Sequence, residues 1–135
     1  MNHRFPVRVY YEDTDAAGIV YYANYFRFME RARTEWLRDL GYEQDELRSR
    51  LGLVFVVRRV EADYLAPARF NDLLWIDSRL EKAGRSSLDL AQAVSLQSDG
   101  RLLCRGKVKL VAVDIERFRP VAVPEEILEK MNHAG

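Results

Sequence analysis

A chain of 135 residues, 48% hydrophobic and 31% charged, has the length of one domain and can bury a core without disulfides or a structural metal. Its 21 basic and 21 acidic side chains cancel, which argues against a non-specific nucleic-acid binder, because that mode needs a positive excess to displace counterions. The lone Cys104 allows no intrachain disulfide and reads as a small buried hydrophobe, so cytoplasmic residence is the expectation; no signal-peptide pattern and no apolar run of bilayer-spanning length is present.

Phe5–Tyr11 reads as a strand, with Val7 and Val9 alternating with Arg8 and Tyr10, and with Pro6 acceptable only at its start or on an edge. Glu12–Tyr22 reads as a loop. Ala23–Leu40 predicts the longest helix: Phe26, Met29, Arg33, Trp36, Leu37 and Leu40 fall close to one stripe, charged residues cover most of the rest, Asn24 serves as a cap and Gly41 as the stop. Asp45–Leu51 predicts a short second helix ended by Gly52. Strands are then predicted at Leu53–Tyr64, Leu73–Lys82, Ser87–Gln97 and Leu102–Ile115, the last two joined by an Asp99-Gly100 hairpin signal. Glu125–Met131 predicts a terminal helical turn. This order predicts an α+β domain over residues 1–135, in which an antiparallel sheet carries the long helix on one face and a partner chain is the simplest cover for the other.

The chemistry is bounded by what is missing. The histidines, His3 and His133, lie near the two ends of the sequence, leaving little basis for a Ser–His or Cys–His nucleophile pair. A transition-metal site would need ligands that the chain lacks, and no P-loop or Gly-x-Ser-x-Gly pattern occurs. Carboxylates remain. Asp13 and Asp15 stand between a strand-like and a helix-like run, and small residues and Gly18 follow them. Such a segment can set a carboxylate beside the free N–H groups of a helix start, where water can be activated or a polarised carbonyl attacked. The two aspartates are expected to face different environments, one holding structure and the other free for chemistry. The plainer alternative is that both satisfy loop N–H groups as Asx-turns or caps; a calcium-type site lacks further ligands at regular spacing.

The segment Tyr10-Tyr11-Glu12-Asp13-Thr14-Asp15-Ala16-Ala17-Gly18-Ile19-Val20-Tyr21-Tyr22-Ala23-Asn24-Tyr25-Phe26 resembles the signature of 4-hydroxybenzoyl-CoA-thioesterase-like hotdog proteins. With Glu30-Arg31-Ala32-Arg33-Thr34-Glu35-Trp36-Leu37 it is closer still to the YbgC-like acyl-CoA thioesterases. The likeness runs from about Phe5 to Pro120 and includes Asp63-Tyr64-Leu65-Ala66-Pro67-Ala68. It implies a hotdog fold, a curved antiparallel sheet of about five strands wrapped around one long helix.

It also implies roles. Asp15 matches the catalytic carboxylate, Gly18 the glycine that turns the chain into the helix, and Tyr22 the position whose backbone N–H binds the thioester oxygen. Asp13 is expected to shape the loop and Tyr11 to line the site, with pocket depth depending on Tyr21, Tyr25, Phe55, Val57 and a partner chain. YbgC-like members often carry a histidine where this chain has Tyr22, and a phenol cannot assume a histidine's acid–base role near neutral pH. The implied substrate is an acyl-CoA, hydrolysed without cofactor or metal. Its phosphates would meet cations from among Arg58 and Arg59, expected to point opposite ways on a strand, and Lys82 and Arg85, which flank a turn; Arg69 and Lys107 are weaker candidates. The implied assembly is a homo-oligomer, a dimer or a tetramer of paired dimers. A non-catalytic acyl-CoA or acyl-carrier-protein binding module is the competing reading, and a hotdog dehydratase or hydratase lacks its usual histidine.

Overall fold

The computed structural model describes residues 2–133 (for His133, the backbone alone). The elements are β1 (His3–Arg8), a 3-10 turn (Tyr11–Asp13), α1 (Asn24–Asp39), α2 (Gln44–Glu46) running into a π-helical turn (Leu47–Leu51), β2 (Leu53–Tyr64), β3 (Leu73–Ala83), β4 (Ser87–Leu96), β5 (Leu102–Asp114) and α3 (Glu125–His133). The strands form a five-stranded antiparallel sheet in the order β1-β3-β4-β5-β2, with β1 and β2 at its edges. The expected α+β architecture, one long helix on a five-stranded sheet, is present.

The strands lie within a residue or two of their sequence patterns, except β1. It starts at His3 and stops at Arg8, because Val9 N–H then turns to Asp72 O (2.9 Å) and Val9 O accepts from Asn71 N–H (3.0 Å), outside the ladder with β3. The short second helix is one α-helical turn passing into a π-helical one, closed by Gly52 in the left-handed region (φ 66°).

Along β4, Leu88, Leu90, Gln92 and Val94 are buried and alternate with half-exposed neighbours, as a strand with one covered face requires. Helix α1 lies on that inner face. It buries Tyr25, Phe28, Met29, Ala32, Trp36 and Leu37; Phe26 and Leu40, assigned to its apolar stripe from spacing, are half-buried, and Phe28 takes the central place instead. The first half of α1 packs with Val7, Leu74, Ile76, Val94 and Leu103, and the second half with Leu53, Leu88, Leu90, Leu110 and Ile127.

Between these halves the helix comes close to the sheet. A Cβ on Gly106 would lie 3.1 Å from Met29 Sδ and Cε and 3.2 Å from Glu61 O, so a glycine here lets α1 settle. Beside it, the 2%-exposed Gln92 is fully engaged: its amide donates to Met29 O (3.0 Å) and Ser78 Oγ (2.9 Å) and accepts from Arg33 Nη1 (2.9 Å). Arg33, read as part of the apolar stripe, thus carries its guanidinium to a polar seam under the helix, where burial lowers its pKa.

Replacing Gln92 by leucine keeps the volume but strips Arg33 and Ser78 of their partner. The expected loss is about 1–3 kcal/mol of unfolding free energy, measured by urea titration.

Candidate active site

The loop ahead of α1 is a miniature antiparallel ladder. Asp15 N–H donates to Ile19 O (2.9 Å), Thr14 pairs with Val20, and Tyr21 N–H donates to Asp13 O (3.0 Å). The tip closes through Gly18 N–H to Asp15 O (3.0 Å), with Gly18 at φ 79°, a conformation that favours glycine. A second layer fixes the ladder from below: Val20 N–H donates to Ala68 O (2.8 Å), and Ile19 bridges Arg69.

The two aspartates differ in burial and bonding. Asp13 is buried at 7% exposure; its Oδ2 accepts from Tyr10 N–H (2.8 Å), and its carbonyl accepts from both Tyr21 N–H and the Asn24 side-chain amide (2.9 Å). It therefore ties the turn to the first residue of α1. Asp15 is exposed and accepts one bond, from Ala17 N–H to Oδ1 (2.8 Å), an Asx-turn that orients the carboxylate and leaves Oδ2 without a partner among the described residues. The expected difference in environment is present. Its cause is the 3-10 turn ending at Asp13, since strand alternation would put residues two apart on the same side.

Helix α1 opens with Asn24 N–H donating to Tyr21 O (2.8 Å), Tyr25 N–H to Tyr22 O (3.3 Å) and Phe26 N–H to Ala23 O (3.2 Å). The N–H groups of Tyr22 and Ala23 donate to no acceptor among the described residues. Ala23 is the N-cap and provides no side-chain oxygen; Asn24, read as the cap, instead reaches back to Asp13 O. The first turn contains no acidic side chain, so the positive end of the helix dipole is uncompensated where these donors lie.

Aromatic rings surround this helix start. Tyr22 packs on Tyr21 (4.8 Å between centroids) and edge-on against Tyr64 (5.9 Å), which also meets Tyr25 (5.7 Å). Tyr11 packs with Phe70 at 6.0 Å. Tyr11, Tyr21 and Tyr22 are exposed, whereas Tyr25 is 3% exposed and its hydroxyl accepts from Ala68 N–H (3.1 Å), so Tyr25 props the loop. Hydrogen bonding with Tyr22 raises the pKa of the Tyr21 phenol, and burial raises that of Tyr25; both therefore stay protonated at neutral pH.

The His3 side chain does not approach the site. His3 Nε2 lies 2.8 Å from Asp39 Oδ2 at the opposite end of α1, a helix about 24 Å long. His133 ends α3, whose Lys130 reaches Leu40 O at that same end. Cys104 is fully buried in β5, and burial, then Asp63, pushes its thiol up to about 11. Among the described residues, no group of three metal-ligating side chains is assembled, and no helix is long and apolar enough to cross a membrane.

The cations assigned to phosphate lie elsewhere on the sheet. Arg58 and Arg59 do not simply alternate: the register steps from Val57↔Leu110 to Arg59↔Lys109, leaving Arg58 as an unpaired bulge residue, and both are exposed. Lys82 pairs with Asp89, Asp89 with Lys109 and Lys109 with Arg59, so the register joins Arg59 and Lys82 in one cross-strand row. Lys109 is a member that sequence reading missed; it lies 3.5 Å from Asp89. Arg85 stands apart in the β3–β4 turn, its carbonyl accepting from Val123 N–H. Arg59 precedes Tyr64 by about 17 Å of strand. A groove of about 630 Å³ lies on the sheet face away from α1, floored by Ala91 and Ala93 and flanked by Asp63, Arg79, Arg105 and Lys107; no residue of the 13–22 loop lines it.

A family model described as the Thioesterase-like superfamily matches residues 9–131, and the chain belongs to that family. It is 40% identical over 129 residues to the Acyl-CoA thioesterase YbgC of Haemophilus influenzae, covering 96% of this chain and 93% of that one. It is 42% identical over 125 residues to the Acyl-CoA thioester hydrolase YbgC of Escherichia coli O6:H1, covering 93% and 92%. Among solved structures, a 1,4-dihydroxy-2-naphthoyl-CoA thioesterase from Synechocystis superposes with a TM-score of 0.90 over 97% of this chain and 96% of its own, at 20% identity, a likeness of fold. The hotdog fold and the YbgC-like resemblance expected from the sequence are thus both present.

The two aspartates should separate in stability. Asp13→Ala is expected to lower the unfolding free energy by about 1–3 kcal/mol, because it orphans the Tyr10 N–H, while Asp15→Asn stays within about 0.5 kcal/mol of wild type; paired urea titrations check this. Cys104 should resist a charged disulfide reagent at pH 8 in the native protein and react at once in denaturant, as a kinetic thiol-labelling assay would register.

Proposed function

We propose that the whole chain is one hotdog domain that hydrolyses acyl-CoA thioesters to the free acid and CoA, with Asp15 as the reacting carboxylate. The observation that carries this reading is local. An exposed carboxylate, steadied by a single backbone bond, shares a short ladder with a helix start whose leading N–H groups are unsatisfied. The two YbgC relatives, named for acyl-CoA thioester hydrolysis, support the same chemistry.

The acyl carbonyl oxygen would sit against the N–H of Tyr22, assisted by the dipole of α1. Two routes then balance. Asp15 takes a proton from water as the oxygen of that water attacks the carbonyl carbon; or a carboxylate oxygen of Asp15 attacks directly, forming an anhydride that water later cleaves. In both, the C–S bond breaks and CoA leaves as a thiolate, a leaving group good enough to need no histidine acid. Neither route calls on a metal or cofactor. Gly18 serves through its backbone by closing the loop that aims Asp15. Tyr11, Tyr21 and Tyr22 offer aromatic surface to the acyl group, and Arg58, Arg59, Lys82 and Arg85 remain the cations proposed for the phosphates of CoA, joined by Lys109.

The working form is a homo-oligomer. Strand β2 has 12 residues, is paired on one side alone, and exposes Val57, Val60 and Tyr64 with Leu65 just beyond it. Such an edge is a template for a second copy, and pairing there would place a partner beside the aromatic mouth of the site.

The test is thiol release from a panel of acyl-CoAs, from short aliphatic through benzoyl to palmitoyl. Wild type should turn over at least one of them, and Asp15→Asn should lower kcat by about a hundredfold or more. Saturable acyl-CoA binding with no turnover above that of the variant would instead support the binding-module reading.

A further inference from the structure

We infer that Tyr64 is a positioning residue for this reaction, the strut that sets the start of α1, and with it the Tyr22 N–H, against the site. The inference rests on the function proposed above. Tyr64 is the last residue of β2, held in register opposite the fully buried Cys104 of β5. Its ring meets Tyr25 at 5.7 Å and Tyr22 at 5.9 Å, with planes at 45° and 75°. Tyr25 is immobilised: it is 3% exposed and its hydroxyl accepts from Ala68 N–H, while Ala68 O accepts from Val20 N–H in the site loop. Tyr64 therefore leans on a buried ring and presents itself to an exposed one.

Tyr22 needs such support. Among the described residues its carbonyl accepts one bond, from Tyr25 N–H at 3.3 Å, and its own N–H finds no acceptor. Its other ring neighbour is Tyr21, itself 46% exposed. Tyr64 is thus the aromatic contact that joins the donor residue to the sheet. The Tyr64 hydroxyl makes no hydrogen bond among the described residues, so the ring performs this role and the oxygen does not. Because Tyr64 stands at the end of an edge strand and belongs to neither apolar cluster of the core, trimming it opens no core cavity. Misplacing a catalytic donor by an ångström or so is costly even when the fold is intact.

Wild type, Tyr64→Phe and Tyr64→Leu are compared on whichever acyl-CoA wild type hydrolyses, alongside thermal melts. Tyr64→Leu should lower kcat by about tenfold or more, with KM within about threefold, while Tyr64→Phe stays within about twofold of wild type. The melting temperatures should agree within about 4 °C. The inference is overturned if Tyr64→Leu keeps its kcat, if the loss sits in KM, if Tyr64→Phe fails to rescue, or if activity and melting temperature fall together. Absence of turnover by wild type sinks the thioesterase reading and the inference with it; turnover by wild type and an unaffected Tyr64→Leu sink the inference alone.

Discussion

The site hangs on one buried aspartate that takes no part in the proposed chemistry. Asp13 receives Tyr10 N–H on its side chain, and Tyr21 N–H and the Asn24 amide on its carbonyl. A single residue thereby fixes the chain entering the loop, the chain leaving it and the first residue of α1. With those three points tied, the intervening ladder can close only through Asp15, Gly18 and Ile19, and Asp15 is delivered to the surface. The helix begins without a side-chain cap because Ala23 stands at the cap position, and the next side chain, Asn24, is used to hold the loop. The N–H groups of Tyr22 and Ala23 are thus left uncapped, and they supply the donors that an acyl oxygen would need.

The rest of the fold keeps that helix from shifting. Its first half is packed into an apolar cluster with β3, β4 and β5. At its midpoint Gly106 admits Met29, and Gln92 links the helix backbone to Ser78 and Arg33. A polar seam in an apolar layer adds little net stability, but it penalises any sliding of the helix that would break its bonds. This is how a sheet can serve a reaction at one end of a helix: it fixes the helix along its length and leaves the end bare.

Much of this was legible in the sequence, for identifiable reasons. The period-two runs in β2 to β5 and the three-to-four spacing of α1 are strong signals, and each element falls near its expected place. The Asp13–Gly18 segment was recognisable as a candidate site because carboxylate, small residues and glycine occur together ahead of a helix. What escaped depended on contacts between distant segments. Phe28 takes the place assigned to Phe26 because the sheet, not the helix alone, decides which face is covered. The bulge at Arg58 carries no glycine to announce it, and the row joining Arg59, Lys109, Asp89 and Lys82 exists only through strand register. Tyr25 offered an aromatic ring in the first helical turn, but nothing local revealed that its hydroxyl would be used by Ala68.

The central claim is that the N-terminus of α1 receives the acyl oxygen. The most direct measurement is the amide spectrum of the 15N-labelled protein titrated with a non-hydrolysable acyl-CoA in which a methylene replaces the thioester sulfur and the carbonyl is retained. The account predicts that the Tyr22 and Ala23 N–H resonances move most, downfield as they gain an acceptor, together with neighbours in the loop bearing Asp15. Saturable shifts confined to the outer sheet groove around Asp63, Ala93 and Arg105, with Tyr22 and Ala23 unmoved, would contradict it.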